Sequence, residues 1–428
     1  MNKENIIEIL DSWNFWKRDQ STGVLRQPYL DKMDSLIKTG QVVALTGVRR
    51  SGKSTLMKQF IKQRIASKEE RESFLYVNFE EPKFADLLSL NFLQQIYEAY
   101  IEIVKPRSMP YILLDEVQLI PKWESFVRGL HEKKEAHILV SGSTSKILSK
   151  ELGEKLTGRW LEMKIYPLTF SEFLNFKGIE LKSRLDMVSE SVKIKQLLRE
   201  YLEFGGFPLV SLSGEKQEIL ARYFDDIISR DIAERHKIRK VEKLKPLAKY
   251  YLTSFSSMIS YRKTANFIGL SLDSIERFSK YMEDAYLLFF VPKFSYSLKE
   301  QEVNLRKVYC IDSGLINAVS FRFSENIGRL YENLVCIDLI KKGKEVYYYK
   351  NGGECDFIVK EGAKVTRAIQ VSYQINGNKE REVNDLLEAL EAFRLKEGFI
   401  ITEGLETEEK VQGKKIIYIP LWKWLLQS

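Results

Sequence analysis

The chain is poor in cysteine and has no long apolar run. Its 428 residues include three cysteines, Cys310, Cys336 and Cys355, which lie far apart and form no CxxC pair. An odd number of isolated cysteines argues against structural zinc and favours a reducing compartment. No apolar run reaches the roughly 18 residues that a membrane-spanning helix needs. We therefore expect a cytoplasmic protein with buried thiols and no membrane partner.

Charge of neither sign dominates the composition. The chain has 67 Lys and Arg against 59 Asp and Glu, a net charge of +8, which suits nucleic acid without requiring it. A hydrophobic content of 44% with 12% aromatic residues excludes wholesale disorder. The length predicts two or three domains.

The order of apolar patterns predicts four regions. From residue 42 to about 165, short apolar runs alternate with helical patterns, which indicates a parallel α/β sheet. Residues 169–242 show no strand-like apolar runs, and their helical pattern predicts a helical appendage. In residues 243–323, three helical stretches precede two β-like runs, which is typical of a winged helix. Residues 324–428 predict a further α/β domain, and the first domain then spans residues 1–168.

The string GVRRSGKST matches the phosphate-binding pattern G-x-x-x-x-G-K-[ST] between a predicted strand and a predicted helix. The glycines let backbone N–H groups point at phosphate oxygens, and the helix adds its positive dipole end. Lys53 is expected to neutralise phosphate charge and Ser54 to hold Mg²⁺. We predict that ATP or ADP binds, with Mg²⁺, to Gly47, Val48, Arg49, Arg50, Ser51, Gly52, Lys53, Ser54 and Thr55.

A second motif, YILLDE, is an apolar strand that ends in two acids. A strand ending in Asp-Glu is common by itself, but this one follows a phosphate-binding loop. In such proteins the first acid, Asp115, orients a water on Mg²⁺, and the second, Glu116, polarises the attacking water. A base of this kind contributes roughly 10²- to 10⁴-fold in rate. We predict ATP hydrolysis, with Lys53 and Glu116 as catalytic residues.

Three other polar residues are candidates for roles in turnover. Ser143, after the run HILV, is a candidate sensor of the γ-phosphate or else a helix N-cap. Arg159 is a candidate arginine finger that reaches the site of a neighbouring subunit, or else it forms a salt bridge within the chain. Arg230 is a second candidate finger, or else part of a solvated helix face.

The segment from Tyr261 to Ala285 has the pattern of helix, turn and second helix. Asp273 and Glu276 on the second helix count against reading of base edges. Residues 241–310 hold 11 basic and 7 acidic residues, a net of +4, so contact with DNA phosphates is predicted. An interdomain packing role is the alternative. The basic residues around the turn and wing are Arg262, Lys263, Lys293, Lys299, Arg306 and Lys307.

Together these motifs resemble a family of prokaryotic AAA-type ATPases, common in archaea, that carry a C-terminal domain of largely unknown function. The ordered strings LTGVRRSGKSTL, LLDEVQLIPKWE, FGGFPLV, KVYCIDSGL and GRLYENLV carry the resemblance over nearly the whole chain. It implies an AAA-type P-loop ATPase module, a winged helix and a C-terminal fold similar to restriction-endonuclease-like nucleases. It also implies a homo-oligomer, a ring or filament, with a hexamer as the expected ring.

The resemblance to nucleases implies a metal site in the last domain. That fold needs an acid on its first helix, an acid on its second strand and a Glu-or-Gln, any residue, Lys triplet on its third. Glu332, Asp356 and Gln370 stand at these places as implied ligands of Mg²⁺, but Ser372 stands where the lysine is expected. Lys360, on the same strand face as Asp356 by alternation, is a candidate substitute.

Three functions remain open at this point. The leading hypothesis is an ATP-driven enzyme that acts on DNA, with the two downstream domains holding nucleic acid. The second is a nucleotide-gated switch with a degenerate nuclease fold, in which bound ATP sets a conformation. The third is an ATP-coupled nuclease that depends on Mg²⁺.

Overall fold

The structure, a computed structural model, describes residues 1–142, 158–238, 240–319 and 327–427. The chain divides into two compact units, residues 1–165 and residues 166–428. The predicted boundary at residue 168 lies three residues beyond this division. In the described ranges, no helix is long and apolar enough to cross a membrane. All three cysteines are buried free thiols, as predicted.

The first unit contains a parallel sheet with helices on its faces. Its strands are β1 (Val42–Thr46), β2 (Phe74–Asn78), β3 (Tyr111–Asp115), β4 (His137–Ser141) and β5 (Trp160–Lys164). Its α-helices are α1 (Lys3–Asp11), α2 (Gln27–Ile37), α3 (Lys53–Ala66), α4 (Leu90–Ala99) and α5 (Trp123–Lys133). Single 3₁₀ or π turns cover Arg71–Ser73, Pro82–Leu87, Tyr100–Val104 and Val117–Leu119.

The sheet of the first unit separates two apolar cores. Side chains alternate between the faces of a strand, so Val42 and Ala44 of β1 enter one core while Val43 and Leu45 enter the other. Strands covered on both faces read as continuous apolar runs, which is why the sequence predicts them. The strand order is β2-β3-β4-β1-β5, and the predicted parallel α/β sheet is confirmed. Strand β4 therefore lies between the strand that precedes the phosphate loop and the strand that ends in Asp115.

The second unit begins with the predicted helical segment. Its helices are α6 (Phe170–Phe176), α7 (Arg184–Ser189), α8 (Ser191–Phe204), α9 (Pro208–Leu212) and α10 (Lys216–Asp226), followed by a π-helical stretch, Ile227–Glu234. Thr169 and Glu172 form a capping box that starts α6. A turn at Gly205 separates α8 from α9, and a Cβ at Gly205 would lie 1.8 Å from Asp312 Oδ1. This close approach requires glycine.

A three-stranded antiparallel sheet follows, in the order β6-β8-β7. Along the chain, its elements are α11 (Val241–Thr253), β6 (Ser257–Ile259), α12 (Tyr261–Ile268), α13 (Leu272–Asp284), β7 (Leu288–Pro292), α14 (Leu298–Val303), β8 (Arg306–Cys310) and α15 (Ser313–Val319). Gly269, with φ 71°, ends α12, and the Ser271 side chain caps α13. The predicted turn between two helices is therefore confirmed.

The C-terminal region forms a six-stranded mixed sheet, in the order β13-β14-β12-β11-β10-β9. Its elements are α16 (Ile327–Lys341), β9 (Glu345–Lys350), β10 (Glu354–Glu361), β11 (Lys364–Val371), a 3₁₀ turn (Ile375–Gly377), α17 (Lys379–Ala392), β12 (Glu397–Thr402), β13 (Thr407–Val411), β14 (Lys414–Pro420) and α18 (Leu421–Leu426). Strands β9 to β11 are antiparallel neighbours, whereas β12 runs parallel to β11.

Candidate functional site

Two glycines shape the loop that follows β1. Gly47 has φ 142° and Gly52 has φ 100°, values in the region that only glycine adopts easily. A Cβ at Gly47 would lie 2.0 Å from the backbone oxygen of Ile165. Helix α3 begins at Lys53, directly after this curl. The loop therefore wraps over the amino end of a 14-residue helix, which is the geometry that binds phosphate.

Two polar side chains of the loop, Ser51 and Lys53, are buried. The buried Lys53 Nζ donates to the carbonyl oxygens of Gly47, at 3.0 Å, and Val48, at 3.3 Å. Ser51 Oγ is buried and has no hydrogen-bond partner among the described residues. Of the remaining predicted residues, Arg49 Nη1 lies 3.2 Å from Glu80 Oε1, and Thr55 and Arg50 are exposed, the latter with φ 70°.

Arg26 supports the loop from outside the motif. Its buried guanidinium donates from Nη1 to the Ser51 backbone oxygen at 2.9 Å and lies over the Tyr29 ring at 4.4 Å. The contact fixes the loop one residue before Gly52. Because Arg26 lies at the start of α2, no local pattern in the sequence indicated this role.

Asp115 ends β3 at the same edge of the sheet as the loop. Its Oδ2 accepts from Tyr76 at 2.6 Å, and its Oδ1 accepts from Ser141 Oγ. The Ser54 hydroxyl also hydrogen-bonds to Asp115. Burial and the Glu116 carboxylate raise the pKa of Asp115, and the three hydroxyl groups oppose them. The structure therefore brings together Ser54 and Asp115, the two residues predicted to hold Mg²⁺.

Glu116 follows in a strained conformation. Its φ of 53° lies in the left-handed region, which non-glycine residues enter at a cost of about 1–2 kcal/mol and which is common at functional sites. Its N–H donates to Ser141 Oγ at 3.0 Å, and Gln118 Nε2 donates to its Oε2 at 2.5 Å. The backbone and the carboxylate of Glu116 are therefore both held in place.

Ser141 supplies a further hydroxyl at this site. It ends β4 and bonds to both Asp115 and Glu116. The position of β4 between β1 and β3 explains why its last residue reaches this edge. The string SGS contains both Ser141 and the predicted Ser143. Ser143 lies outside the described residues.

Arg159 lies at the amino ends of the strands, whereas the phosphate loop lies at their carboxyl ends. The Val42 N–H, at the start of β1, donates to the Arg159 oxygen at 3.1 Å, whereas the phosphate loop follows the end of this strand. Five residues of strand span roughly 16 Å, so the Arg159 backbone lies about this far from the phosphate loop of the same chain. Its half-exposed guanidinium pairs with Glu132 at 2.6 Å. Arg230, the second candidate, is exposed and lies 4.0 Å from Asp226 Oδ1.

The second unit gathers the residues of the implied nuclease site around a lysine. The Nζ of Lys307, on β8, lies 3.0 Å from Glu332 Oε1 and 2.9 Å from both Glu354 Oε1 and Asp356 Oδ1. Burial acts to lower the pKa of Lys307, but the carboxylates outweigh it and hold this pKa well above its ordinary value. Burial and Asp356 raise the pKa of Glu332 to about 7.

All three predicted metal ligands, Glu332, Asp356 and Gln370, bond to protein groups in this structure. The position between Glu332 and Asp356 holds the Lys307 ammonium, and Gln370 is engaged inside the sheet. Its Oε1 accepts the Asp356 N–H at 3.1 Å, and its Nε2 donates to Glu382 at 2.6 Å. Among the described residues, no group of three His, Cys, Asp or Glu side chains is arranged to hold a metal ion.

Two predictions for lysines are corrected. Lys360 does not follow Asp356 in alternation, because β10 has an extra residue between Cys355 and Ile358 in its pairing with β9, and the Lys360 Nζ pairs with Glu345 at 3.1 Å. Lys307 was expected at a DNA-binding surface but is buried among the carboxylates. Arg306 is paired with Glu302 at 2.5 Å. The exposed basic residues that remain of the predicted set are Arg262, Lys263 and Lys299.

Residues 39–174 match the AAA domain, residues 195–326 match a domain of unknown function (DUF8612), and residues 327–424 match another (DUF4143). An uncharacterized protein of Methanocaldococcus jannaschii, MJ1544, is 34% identical over 406 residues, which cover 90% of this chain and 88% of that protein. The chain belongs to the same family as MJ1544.

This member of the MJ1544 family also has a bacterial relative. An uncharacterized protein of Haemophilus influenzae is 29% identical over 94% of this chain and 99% of its own length. Among solved structures, the Walker-type ATPase PABY2304 of Pyrococcus abyssi is similar with a TM-score of 0.41 and 13% identity, over 69% of this chain and 95% of that one. Along this family member, the AAA-domain match at residues 39–174 is followed by the matches to two domains of unknown function.

Proposed function

We propose that this AAA-domain protein binds ATP in the loop of residues 47–55 and hydrolyses it with Glu116 as the base. The observation that supports the proposal most directly is the convergence of Ser54, Asp115 and Glu116 at one edge of the sheet. Two of these residues come from β3 and its end, and the third comes from the first turn of α3. Tyr76 and Ser141 donate buried hydrogen bonds to Asp115, and the N–H of Glu116 donates to Ser141 Oγ.

The residues present fit a magnesium nucleotide. Lys53 Nζ lies at the loop carbonyls, where it would neutralise phosphate charge. The buried Ser51 hydroxyl lacks a partner in the described ranges, and a phosphate oxygen would satisfy it. Mg²⁺, when bound by Ser54 and Asp115, would neutralise phosphate charge. Glu116, fixed by Ser141 and Gln118, would accept the proton of the attacking water.

Two variants and one control test the ATPase. Lys53→Ala should lose nucleotide affinity and turnover. Glu116→Gln should keep ATP affinity and lose turnover by about 10²- to 10⁴-fold, because only proton transfer is removed. Lys62→Ala, an exposed lysine on the same helix, should match the wild type. Equilibrium binding of a fluorescent ATP and release of phosphate measure the two effects. Unchanged turnover in Glu116→Gln would rule out this residue as the base.

The element order of the second unit supports a winged helix followed by a nuclease-like domain. Helix, strand, two helices and two strands are the parts of a winged helix, and here the two strands are separated by the short α14 and join an antiparallel three-stranded sheet. The order α16, β9, β10, β11, α17, β12 supports the restriction-endonuclease-like assignment. DNA is the partner we propose for these domains. The exposed Arg262 and Lys263 on α12 would contact its phosphates.

A salt titration tests DNA binding. Each contacted phosphate lowers the logarithm of the affinity by about 0.9 per unit of log salt. The double variant Arg262→Ala and Lys263→Ala should reduce this slope by about 2. Lys193→Ala with Lys195→Ala, two exposed lysines on α8, should leave it unchanged. DNA should also raise the ATPase rate, and lack of binding at low salt would exclude DNA as the partner.

A further inference from the structure

The ammonium of Lys307 has a complete set of acceptors. Its three N–H donors match three carboxylate oxygens, one each from Glu332, Glu354 and Asp356, at 2.9–3.0 Å. Only 4% of the Lys307 side chain is exposed. The three acids come from α16 and β10, whereas the lysine comes from β8, far earlier in the chain. One cation therefore gathers acids that would otherwise repel one another.

The remaining bonds of these acids stay within the protein. Tyr309 donates to Glu332 Oε1 at 2.6 Å, and the Val371 N–H donates to Asp356 Oδ2 at 3.0 Å. A divalent ion at this place would need the same oxygens that Lys307 holds, because carboxylates are the ligands it takes from a protein. The ammonium and the metal therefore compete for one position.

Lys307 is fixed from its backbone as well as from its side chain. Strand β8 is the middle strand of the three-stranded sheet. Within it, Lys307 is paired in register with Met258 of β6 and Val291 of β7. At the end of β8, the buried Asn333 of α16 bonds both the N–H of Cys310, at 2.8 Å, and its carbonyl oxygen, at 2.9 Å. The lysine is thus supplied by a strand that is tied to the nuclease-like domain.

We propose that the Lys307 ammonium takes the place of the divalent cation in the nuclease-like centre of the second unit. The centre is then a metal-free ionic junction between β8, α16 and β10, and the C-terminal domain folds without a bound metal ion. This inference stands apart from the ATPase proposal, because none of its residues belongs to the phosphate loop. It also opposes Mg²⁺-dependent DNA cleavage at Asp356.

Uptake of Mn²⁺ by the full-length, nucleotide-free protein tests the inference. Electron paramagnetic resonance counts the bound ions in the wild type, Lys307→Ala and Lys307→Met. Lys307→Ala removes the ammonium and leaves space among three acids, so it should bind one more Mn²⁺ than the wild type. Lys307→Met removes the charge but fills the space, and it should show no gain. The phosphate loop is identical in all three proteins, so its contribution cancels.

The outcomes separate clearly. Equal uptake by Lys307→Ala and the wild type overturns the proposal, and so does a Mn²⁺ ion in the wild type that is lost in Asp356→Asn. If neither Lys307 variant folds, the melting temperature of Asp115→Asn tests the proposal instead, because this variant lacks the proposed metal ligand at the phosphate loop. A melting temperature equal in EDTA and in Mn²⁺ supports the proposal, and a rise in Mn²⁺ overturns it.

Discussion

Among single residues, Asp312 makes the stability of the second unit depend on pH. Its buried carboxylate accepts the N–H of Gly206 at 2.7 Å and that of Gly314 at 2.9 Å. Burial raises the pKa of Asp312 from 3.8 to about 6 against these hydrogen bonds. Between about pH 4 and 6 the folded state therefore binds more protons than the unfolded state. Since protons favour the state that binds more of them, the free energy of unfolding falls as pH rises through this window.

A comparison of the wild type with Asp312→Asn isolates this contribution. Each pKa unit corresponds to about 1.4 kcal/mol, so the wild type should lose about 3 kcal/mol relative to the variant between about pH 4 and 7. Urea unfolding at several pH values measures the difference. Asp273→Asn, at an exposed acid on α13, should keep the pH dependence of the wild type. The assignment is contradicted if the free energy of unfolding of the wild type, minus that of Asp312→Asn, stays constant or rises with pH.

The residues that the sequence could predict belong to contiguous motifs. Short sequence motifs with fixed spacing identify the phosphate loop, Gly47 to Ser54, and the pair Asp115 and Glu116. Arg26, Tyr76 and Ser141 reach the same site from distant parts of the chain, and their residue types carry no such signature. Lys307 is the clearest case, because it is 49 positions from Asp356. Its predicted role at a DNA surface followed from charge alone, and tertiary packing overrode it.

Among elements, burial decided which strands the sequence could predict. Strands β1 to β4 of the first unit are buried on both faces and read as apolar runs, whereas β5, WLEMK, is only partly buried. Strand β6 has only three residues, and β13, with the sequence TEEKV, is mostly exposed at the edge of its sheet. Strand β13 exists because it pairs with β14 through a turn at Gln412 and Gly413, both with positive φ. A charged edge strand of this kind has no hydrophobic alternation to reveal it.

The loop after β1 also makes a prediction at the level of the element. In Gly47→Ala, a Cβ would collide with the Ile165 oxygen and would sit at φ 142°, so the loop should shift and ATP affinity should fall at least tenfold. Gly129→Ala is the matched control, because Gly129 lies within α5 and its Cβ would meet nothing within 4 Å. That variant should raise the free energy of unfolding by up to about 1 kcal/mol. Isothermal titration and urea unfolding measure the two effects, and normal ATP affinity in Gly47→Ala would show that the close contact is not required.

At the scale of the whole molecule, the position of Arg159 bears on whether ATP turnover needs a neighbouring subunit. It lies at the edge of the sheet opposite to the phosphate loop, so it could act in ATP turnover only at the site of another subunit. Its present partner is Glu132, at 2.6 Å, and both side chains are about half exposed. An exposed pair of this kind contributes about 0–1 kcal/mol to stability, so the arginine is available for a second role at little cost.

Arg159→Ala and Glu132→Ala separate the two roles of the arginine. If Arg159 completes the site of a neighbouring subunit, Arg159→Ala should lower kcat by about 10³- to 10⁵-fold, because it removes a positive group from the developing phosphate charge. Glu132→Ala breaks the same salt bridge and should keep wild-type turnover. The specific activity of the wild type should also rise with protein concentration, since the complete site forms only between subunits. Equal, small losses in the two variants, with activity independent of concentration, would reduce Arg159 to a surface ion pair.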